Sequence, residues 1–401
     1  MNIAFVNPEY PSLSGHDQGG IATYIYSMAL ACAQLGHRVH IFVKKGMALK
    51  TIHQSVTCHE YDPLPLRGPS RWFERITKGD HVWDHQYALG VRQLLLAIHE
   101  KEPLDIVEVP EYNGLAFELS SPLPFPVVIH FHMPTVLVDL YNAVKINWRR
   151  NQWYSFEKKA CFNASAYRCP SIALTKEIVQ LFGIAEKKIE LIRHPFDTTI
   201  FDAITKSRSG KHIDILFVGR LERRKGAEIL LKNIQRILSL DKRLRFTFAG
   251  EYAIGDIDRY RCAIERSLSD IDRKRVWFLG ATDREKLPIL YCRSDLLCIP
   301  SLFENAPYTL LEAMAAKLPI IGANTGGIPE IIHHGENGLL FNPDNSDELV
   351  ECIQTMIKHA EQAESFANNG YAKLVNDFNP EKIARFAVEF YGSVISSFGK
   401  K

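Results

Sequence analysis

Short, nearly continuous apolar runs recur along this chain, each followed by a polar loop and then a stretch with helical spacing. Ile3-Ala4-Phe5-Val6 is the first such run. A glycine-bearing loop from Asn7 to Gly20 follows, and then Ile21, Tyr24, Ile25, Met28 and Cys32 fall on one helical face, with Gly36 as a stop. Val39, Ile41 and Val43 open a second strand, and Asp105–Val109 and Val127–His132 extend the series. Strands that are apolar on both faces belong in parallel sheets covered by helices on each side. The pattern therefore predicts α/β architecture.

The alternation starts again near residue 212. Ile213–Val218 reads as a strand closed by Gly219, and the next helix carries Leu230, Ile234, Ile237 and Leu238. Further strands are expected at Arg245–Ala249, Val276–Leu279, Asp295–Ile299, Pro319–Ile321 and Gly338–Phe341. A chain of 401 residues is long enough for two domains of ordinary size. We place them at residues 1–200 and 201–377, joined by the polar stretch Asp202–Lys211 with Ser207, Ser209 and Gly210. In such folds ligands bind at the carboxyl ends of the strands, here in a cleft between the domains.

Composition narrows the function classes. A net charge of +2 gives no pull toward nucleic acid. The eight cysteines include no pair at zinc-knuckle spacing and sit mostly among apolar residues, as reduced thiols do. The opening MNIAFVNPEYP has neither the basic region nor the apolar length of a signal peptide, and no run of ~18 apolar residues is present. A cytoplasmic protein is expected.

Four constellations carry chemistry. In Pro300–Met314 a strand gives way to a loop and a helix. Pro307 suits the first helical turn, and the amides near Thr309 and Leu310 together with the helix dipole would form a phosphate site. Glu304 ahead of the helix and Glu312 within it could accept hydrogen bonds from a sugar hydroxyl and a ribose diol; they could equally be a capping acid and a solvated residue. In Gly219-Arg220-Leu221-Glu222-Arg223-Arg224-Lys225-Gly226, Arg220 and Lys225 could neutralise a departing diphosphate without a metal ion. Arg223 and Arg224 read as the solvent-facing members. His130 and His132 alternate at a strand end and share one face. Gly19-Gly20 would let backbone approach a phosphate closely, or simply form a turn. No G-x-G-x-x-G follows the first strand and no Walker sequence occurs, which argues against a nicotinamide dehydrogenase. Asp256-Ile257-Asp258 reads as a solvated face.

The run Ser301–Ala315, followed by Asn324–Glu330 and Asn337-Gly338-Leu339, resembles the family-4 retaining glycosyltransferases. That resemblance implies the GT-B fold, two Rossmann-like domains facing across a cleft, with a last helix in Phe378–Phe398 (Ile383, Phe386, Val388, Phe390) crossing back to the first domain. Glu304 and Glu312 match the family's glutamate pair, and Gly219-Arg220 with Lys225-Gly226 its diphosphate turn. The glycines Gly19 and Gly20 match its first loop, and His132 its strand-end histidine, with His130 as the fallback register. By resemblance, Arg220 and Lys225 would bind the diphosphate, Glu312 the ribose, and Glu304 with Asn305, Ala306, Tyr308, Thr309 and Leu310 the sugar and phosphates. Ala281 would lie near the base. His132, Glu304, Arg220 and Lys225 would be the catalytic set, with no metal and no cofactor. Asn305 stands where the family often has glycine, and His194-Pro195 where it has Asn-Gly; the latter change is expected to bear on the hinge.

The expected activity is transfer of a hexose-type sugar from a nucleotide-diphosphate sugar to a glycan, lipid-linked or small-molecule hydroxyl. Two alternatives remain open: a non-catalytic sugar-nucleotide binding subunit, and a GT-B enzyme of another reaction type such as an epimerase. Two aromatic and basic segments, Lys145–Tyr154 and the set Arg67, Arg71, Trp72, Phe73 and Arg75, would allow peripheral contact with an anionic inner membrane face.

Overall fold

The computed structural model describes residues 1–7, 19–46, 53–65, 81–120, 122–204, 210–251, 262, 266 and 268–399. The patch at Arg67, Arg71, Trp72, Phe73 and Arg75, the Asp256–Asp258 string, most of the first loop, and Ser207 and Ser209 lie outside the described residues.

The chain divides into two compact units. The first comprises Met1–Leu140, Val144–Pro195 and Pro380–Lys401; the second comprises Tyr141–Ala143 and Phe196–Asn379. Each is built on one parallel sheet.

The first sheet has seven strands: β1 (Asn2–Val6), β2 (Arg38–Lys44), β3 (Val56–Tyr61), β4 (Ile106–Pro110), β5 (Val127–His130), β6 (Ala166–Cys169) and β7 (Ile189–Leu191). Their order is β3-β2-β1-β4-β5-β6-β7, parallel throughout. Ile3, Phe5, Val39, Ile41, Val107, Val109, Val128 and Ile129 are at most 1% exposed, as the apolar runs require.

The second sheet has six: β8 (Ile213–Val218), β9 (Leu244–Ala249), β10 (Val276–Gly280), β11 (Leu296–Ile299), β12 (Ile320–Ala323) and β13 (Leu339–Phe341). Their order is β10-β9-β8-β11-β12-β13, again parallel. The helix Ala227–Leu240 buries Leu230, Leu231, Ile234, Ile237 and Leu238 on this sheet, in one cluster with Phe246, Phe248 and Ile321. Truncating any one of those leucines to alanine should cost about 2–5 kcal/mol.

Both sheets are Rossmann-like: the strand order reverses beside the first strand, at β1/β4 and at β8/β11. At that point consecutive connections leave in opposite directions, and ligands of such folds bind at the carboxyl ends of the two central strands.

Several expectations shift. β5 stops at His130, so Phe131 and His132 lie just beyond the strand rather than in it. β12 begins at Ile320, one residue after Pro319, because proline lacks a ladder donor. The helix Pro380–Ser397 groups with the first unit, but it buries Ile383, Ala384, Ala387, Tyr391 and Val394, leaving Phe386 53% exposed. Strands β3, β6 and β7 carry no continuous apolar run. Among the described residues, no helix is long and apolar enough to cross a membrane.

Candidate functional site

In the second unit the crevice is built by the loops after β8 and β11. β8 delivers Gly219 to Lys225, and β11 delivers Pro300 to Pro307. The two loops touch backbone to backbone. Gly226 has φ +68°, and a Cβ there would lie 1.8 Å from the Pro300 carbonyl oxygen, so only glycine fits. Leu302 N–H donates to the Arg224 carbonyl at 2.8 Å, and Arg224 N–H donates to Asn142 Oδ1 at 2.8 Å. A third loop holds Glu304 by its main chain: Gly327 N–H donates to the Glu304 carbonyl at 2.7 Å. Gly326, at φ +54°, passes so close that a Cβ would be 2.2 Å from that oxygen.

The side chains form an alternating string of charge. Arg220 Nη2 lies 3.6 Å from Glu222 Oε1, which also accepts from Arg224 Nη2 at 2.7 Å. Arg224 Nη1 is 3.7 Å from Glu304 Oε1, and that oxygen also accepts from the Lys225 ammonium and, at 3.1 Å, from Ser301 Oγ. Burial pushes the Glu304 carboxyl up, but Lys225, Arg224 and Ser301 together outweigh it and hold it below the usual carboxylate range. Burial pulls Lys225 down despite the attraction of Glu304.

The sequence reading of Arg224 is corrected here. It is 7% exposed and hydrogen-bonded to Glu222 and, at 3.4 Å, to the Phe303 carbonyl, whereas Arg223 is exposed. Arg220, the outermost cation, has a 57% exposed side chain.

The helix Tyr308–Ala315 starts beside Glu304. Pro307 is its extended N-cap (φ −69°, ψ 121°) and not a first-turn residue. The Leu310 N–H is not spare either: it donates to the Pro307 carbonyl at 3.1 Å. Thr309 N–H is the first-turn donor left for an anion, with Tyr308 buried ahead of it and Asn305 and Ala306 half-buried at the loop. Glu312 sits one turn further on, half-buried, accepting from the Tyr291 hydroxyl at 2.7 Å; burial raises its carboxyl above the usual value. Ala281 comes next after Gly280, whose carbonyl accepts from Gly250 N–H at 2.8 Å, and a Cβ at Gly250 would lie 2.1 Å from the Gly219 carbonyl oxygen, so this turn is linked by backbone to the loop after β8. It follows β10, the edge strand, with β9 between it and β8.

The first unit carries the remaining candidates. Gly19 caps the helix Gly20–Gln34 in extended conformation, and both glycines are exposed. His132 follows β5, and its ring lies 4.0 Å from that of His130. The same cluster contains His194, 5.5 Å from His130 and 5.6 Å from His132, and Tyr24 at 4.5–5.3 Å from all three. His194 thus packs with the imidazoles and is more than a hinge feature. Burial holds both His130 and His132 well below the usual imidazole range, so they are neutral.

Beneath them lies a network that the sequence did not reveal. Glu108 on β4 accepts from Arg168 Nη1 at 3.0 Å, from Tyr24 at 2.6 Å and from Tyr391 at 2.5 Å, and it lies 3.1 Å from His130 Nδ1. Arg168 is wholly buried on β6. Glu111 accepts from the backbone of His132 (2.9 Å) and Met133 (2.7 Å), fixing the turn after β5; burial raises its carboxyl to about 8.

One ring nitrogen from each of His130, His132 and His194 lies within 4.8 Å of the others. A tetrahedral ion bound through imidazoles needs those atoms about 3.4 Å apart. The Arg168 guanidinium beside Glu108 adds a positive charge there. The three imidazoles form a buried cluster in the first unit.

Comparison with known proteins decides the family. Residues 18–200 match Glycosyltransferase Family 4, and residues 201–373 match Glycosyl transferases group 1. An uncharacterized glycosyltransferase of Methanocaldococcus jannaschii is 30% identical over the whole of both chains. The chain belongs to the family-4, group 1 glycosyltransferases. Among solved structures it is similar to sucrose-phosphate synthase of Thermosynechococcus elongatus (TM-score 0.79, 20% identity, 99% of each chain). It is also similar to HepE of Anabaena solved with UDP (TM-score 0.72, 19% identity, 98% of this chain and all of the other). These two likenesses fix the fold of the glycosyltransferase as GT-B. Arg224, Glu222, Ser301, Tyr291 and His194 join the sequence-derived residues of the two units. Of these, Arg224 stood out in the sequence only as a solvent-facing partner of Arg223, and His194 only as a change at the hinge.

Proposed function

We propose that this glycosyltransferase is a retaining, metal-independent enzyme that takes a hexose-type sugar from a nucleotide-diphosphate donor. The observation that carries the reading is the convergence of Lys225, Glu304 and the Tyr308–Ala315 helix start at the reversal point of the second sheet. A leaving diphosphate gains negative charge as the glycosidic bond breaks. Lys225, Arg220 and the Thr309 amide are cationic or dipolar groups of the right sign to receive it, which is the work a divalent ion would otherwise do. Glu304 is ionised, ready to accept from a sugar hydroxyl, and Glu312 presents Oε1 to a ribose while Tyr291 holds Oε2. Retention follows the family resemblance: the acceptor hydroxyl attacks on the face the diphosphate leaves. The parts of His132, Gly19 and Gly20, all on the first unit, also rest on the family pattern, with His132 orienting the sugar as a neutral imidazole.

The solved HepE complexes hold UDP and UDP-glucose, which makes UDP-sugars the first arm of a donor panel. The experiment is a thermal-shift panel of nucleotide-sugars, followed by donor turnover, including slow hydrolysis without acceptor, with and without EDTA. A positive shift and EDTA-resistant turnover are expected. No shift from any donor, or turnover abolished by EDTA and restored by a divalent ion, defeats the reading.

For the acceptor, Ile146 and Trp148 are 57% and 54% exposed, with Lys145 and Arg149 exposed beside them. Such a surface suits a lipid-linked acceptor at an anionic bilayer. Flotation with anionic liposomes should carry the protein upward; no flotation on any lipid mixture removes that version.

A further inference from the structure

The donor-site charges do not pair one to one. Three cations, Arg220, Arg224 and Lys225, share two carboxylates, Glu222 and Glu304, and each carboxylate uses a single oxygen, Oε1, for the ion pairs. The three cations are not equivalent. Arg220 is exposed and 3.6 Å from its partner. Lys225 is a flexible ammonium on a four-carbon stem, able to swing to a phosphate without moving the backbone. Arg224 is fixed: its backbone N–H is bound by Asn142 and its carbonyl by Leu302. Its guanidinium spans Glu222, the Phe303 carbonyl and Glu304, and its Nε finds no partner among the described residues.

When a diphosphate arrives, the dianionic or trianionic group competes with Glu304 for Lys225. A buried carboxylate stripped of its only cation would take up a proton or swing out. Glu304 is spared this because a second, immobile cation, Arg224, faces the same oxygen.

We propose that Arg224 is a positioning residue for the transferred sugar: it keeps Glu304 ionised and in place after Lys225 has moved to the diphosphate. This rests on the donor reading above and deepens it. The Lys225–Glu304 contact is then the donor-free state, and diphosphate capture releases Glu304 to meet a sugar hydroxyl. Recognition of the two halves of the donor is coupled, because the same oxygen that gives up Lys225 becomes available to the sugar.

The coupling predicts a division of labour that affinity measurements can read. Nucleoside diphosphates and their sugars are run as pairs (UDP with UDP-glucose, GDP with GDP-mannose, ADP with ADP-glucose) by calorimetry on wild type and on the Arg224→Met, Arg224→Lys and Lys225→Ala variants. For the pair that binds wild type, Lys225→Ala should weaken both members. Arg224→Met should leave the nucleoside diphosphate within about threefold and weaken the nucleotide-sugar at least tenfold, with kcat also reduced. The acid limb of its turnover should move to higher pH, because Glu304 has lost the cation that keeps it ionised. Arg224→Lys should restore part of the sugar increment and should fold even if Arg224→Met does not.

Equal weakening of both members in Arg224→Met, or in Arg224→Lys if only that variant folds, overturns the assignment, since a merely structural arginine would act on both. So does an unchanged sugar increment. A wild type that binds no pair sinks the donor reading itself, and the role of Arg224 with it.

Discussion

The two sheets share one strand order, yet they treat charge in opposite ways. Around β4, β5 and β6 the first unit seals Glu108, Arg168, His130 and two tyrosine hydroxyls into an interior where Arg168 is wholly buried and Glu108 is 2% exposed. Beside β8 and β11 the second unit strings its charges from an exposed Arg220 inward to Glu304, each carboxylate shared between cations. A sealed network built round one buried ion pair serves to fix geometry. A string with more cations than anions, as proposed above, serves to exchange partners. One scaffold therefore supports a locked polar core and a responsive one, and what separates them is access and stoichiometry of charge.

The widest test of that contrast removes one cation from each. Arg168→Met should destabilise the protein by about 3–5 kcal/mol in urea unfolding, because the buried Glu108 loses its cationic partner. Lys225→Ala should lower transfer by about 10²–10³ while costing less stability than Arg168→Met, since Arg224 and Ser301 still hold Glu304. If Lys225→Ala proves as destabilising as Arg168→Met and leaves transfer intact, the contrast is wrong.

A subtler break concerns Glu111. Its carboxyl keeps a proton in the folded protein up to about pH 8, whereas the unfolded chain loses it near the ordinary carboxylate value. The folded state therefore binds the extra proton between those points, and stability falls as pH rises across them. The Glu111→Gln variant keeps an acceptor for His132 and Met133 without the titration. Its unfolding midpoint should match wild type near pH 4 and exceed it by pH 8; parallel curves would refute this. The smallest effect expected is from Arg223→Ala, within twofold of wild type in turnover. A loss comparable to that of Arg224→Met would mean the two neighbours have been assigned the wrong way round.

The same contrast explains what could be read before folding. β1, β5 and β11 are nearly continuous apolar runs, and β2, β4 and β8 keep enough apolar residues around His40, Glu108 and Asp214 to announce themselves. β6 hides because Arg168 interrupts its run; nothing in Ala-Tyr-Arg-Cys says that the arginine is matched by a glutamate 60 residues earlier. β3 and β7 alternate polar residues at the sheet's two ends, where burial is partial. In the site, Glu304, Lys225 and Glu312 were marked by their motifs after a strand, and the structure pairs the first two and sets the third in the adjoining helix. Arg224 was not marked, since two adjacent basic residues in a loop look alike until the backbone aims one inward. His194 was missed for a similar reason: its partners, His130 and His132, are distant in sequence.

Tyr391, whose hydroxyl donates to Glu108 from a position 283 residues later, sets an order of assembly. During synthesis the first unit reaches the ribosome's exit without the Tyr391 hydroxyl and the apolar face of the last helix, and the gap persists while the second unit emerges. The second unit has every residue it needs before the final helix is translated. The half of the protein made first is thus the half finished last, and a nascent chain halted at Asn379 would hold every residue of the second unit and an unsealed first one.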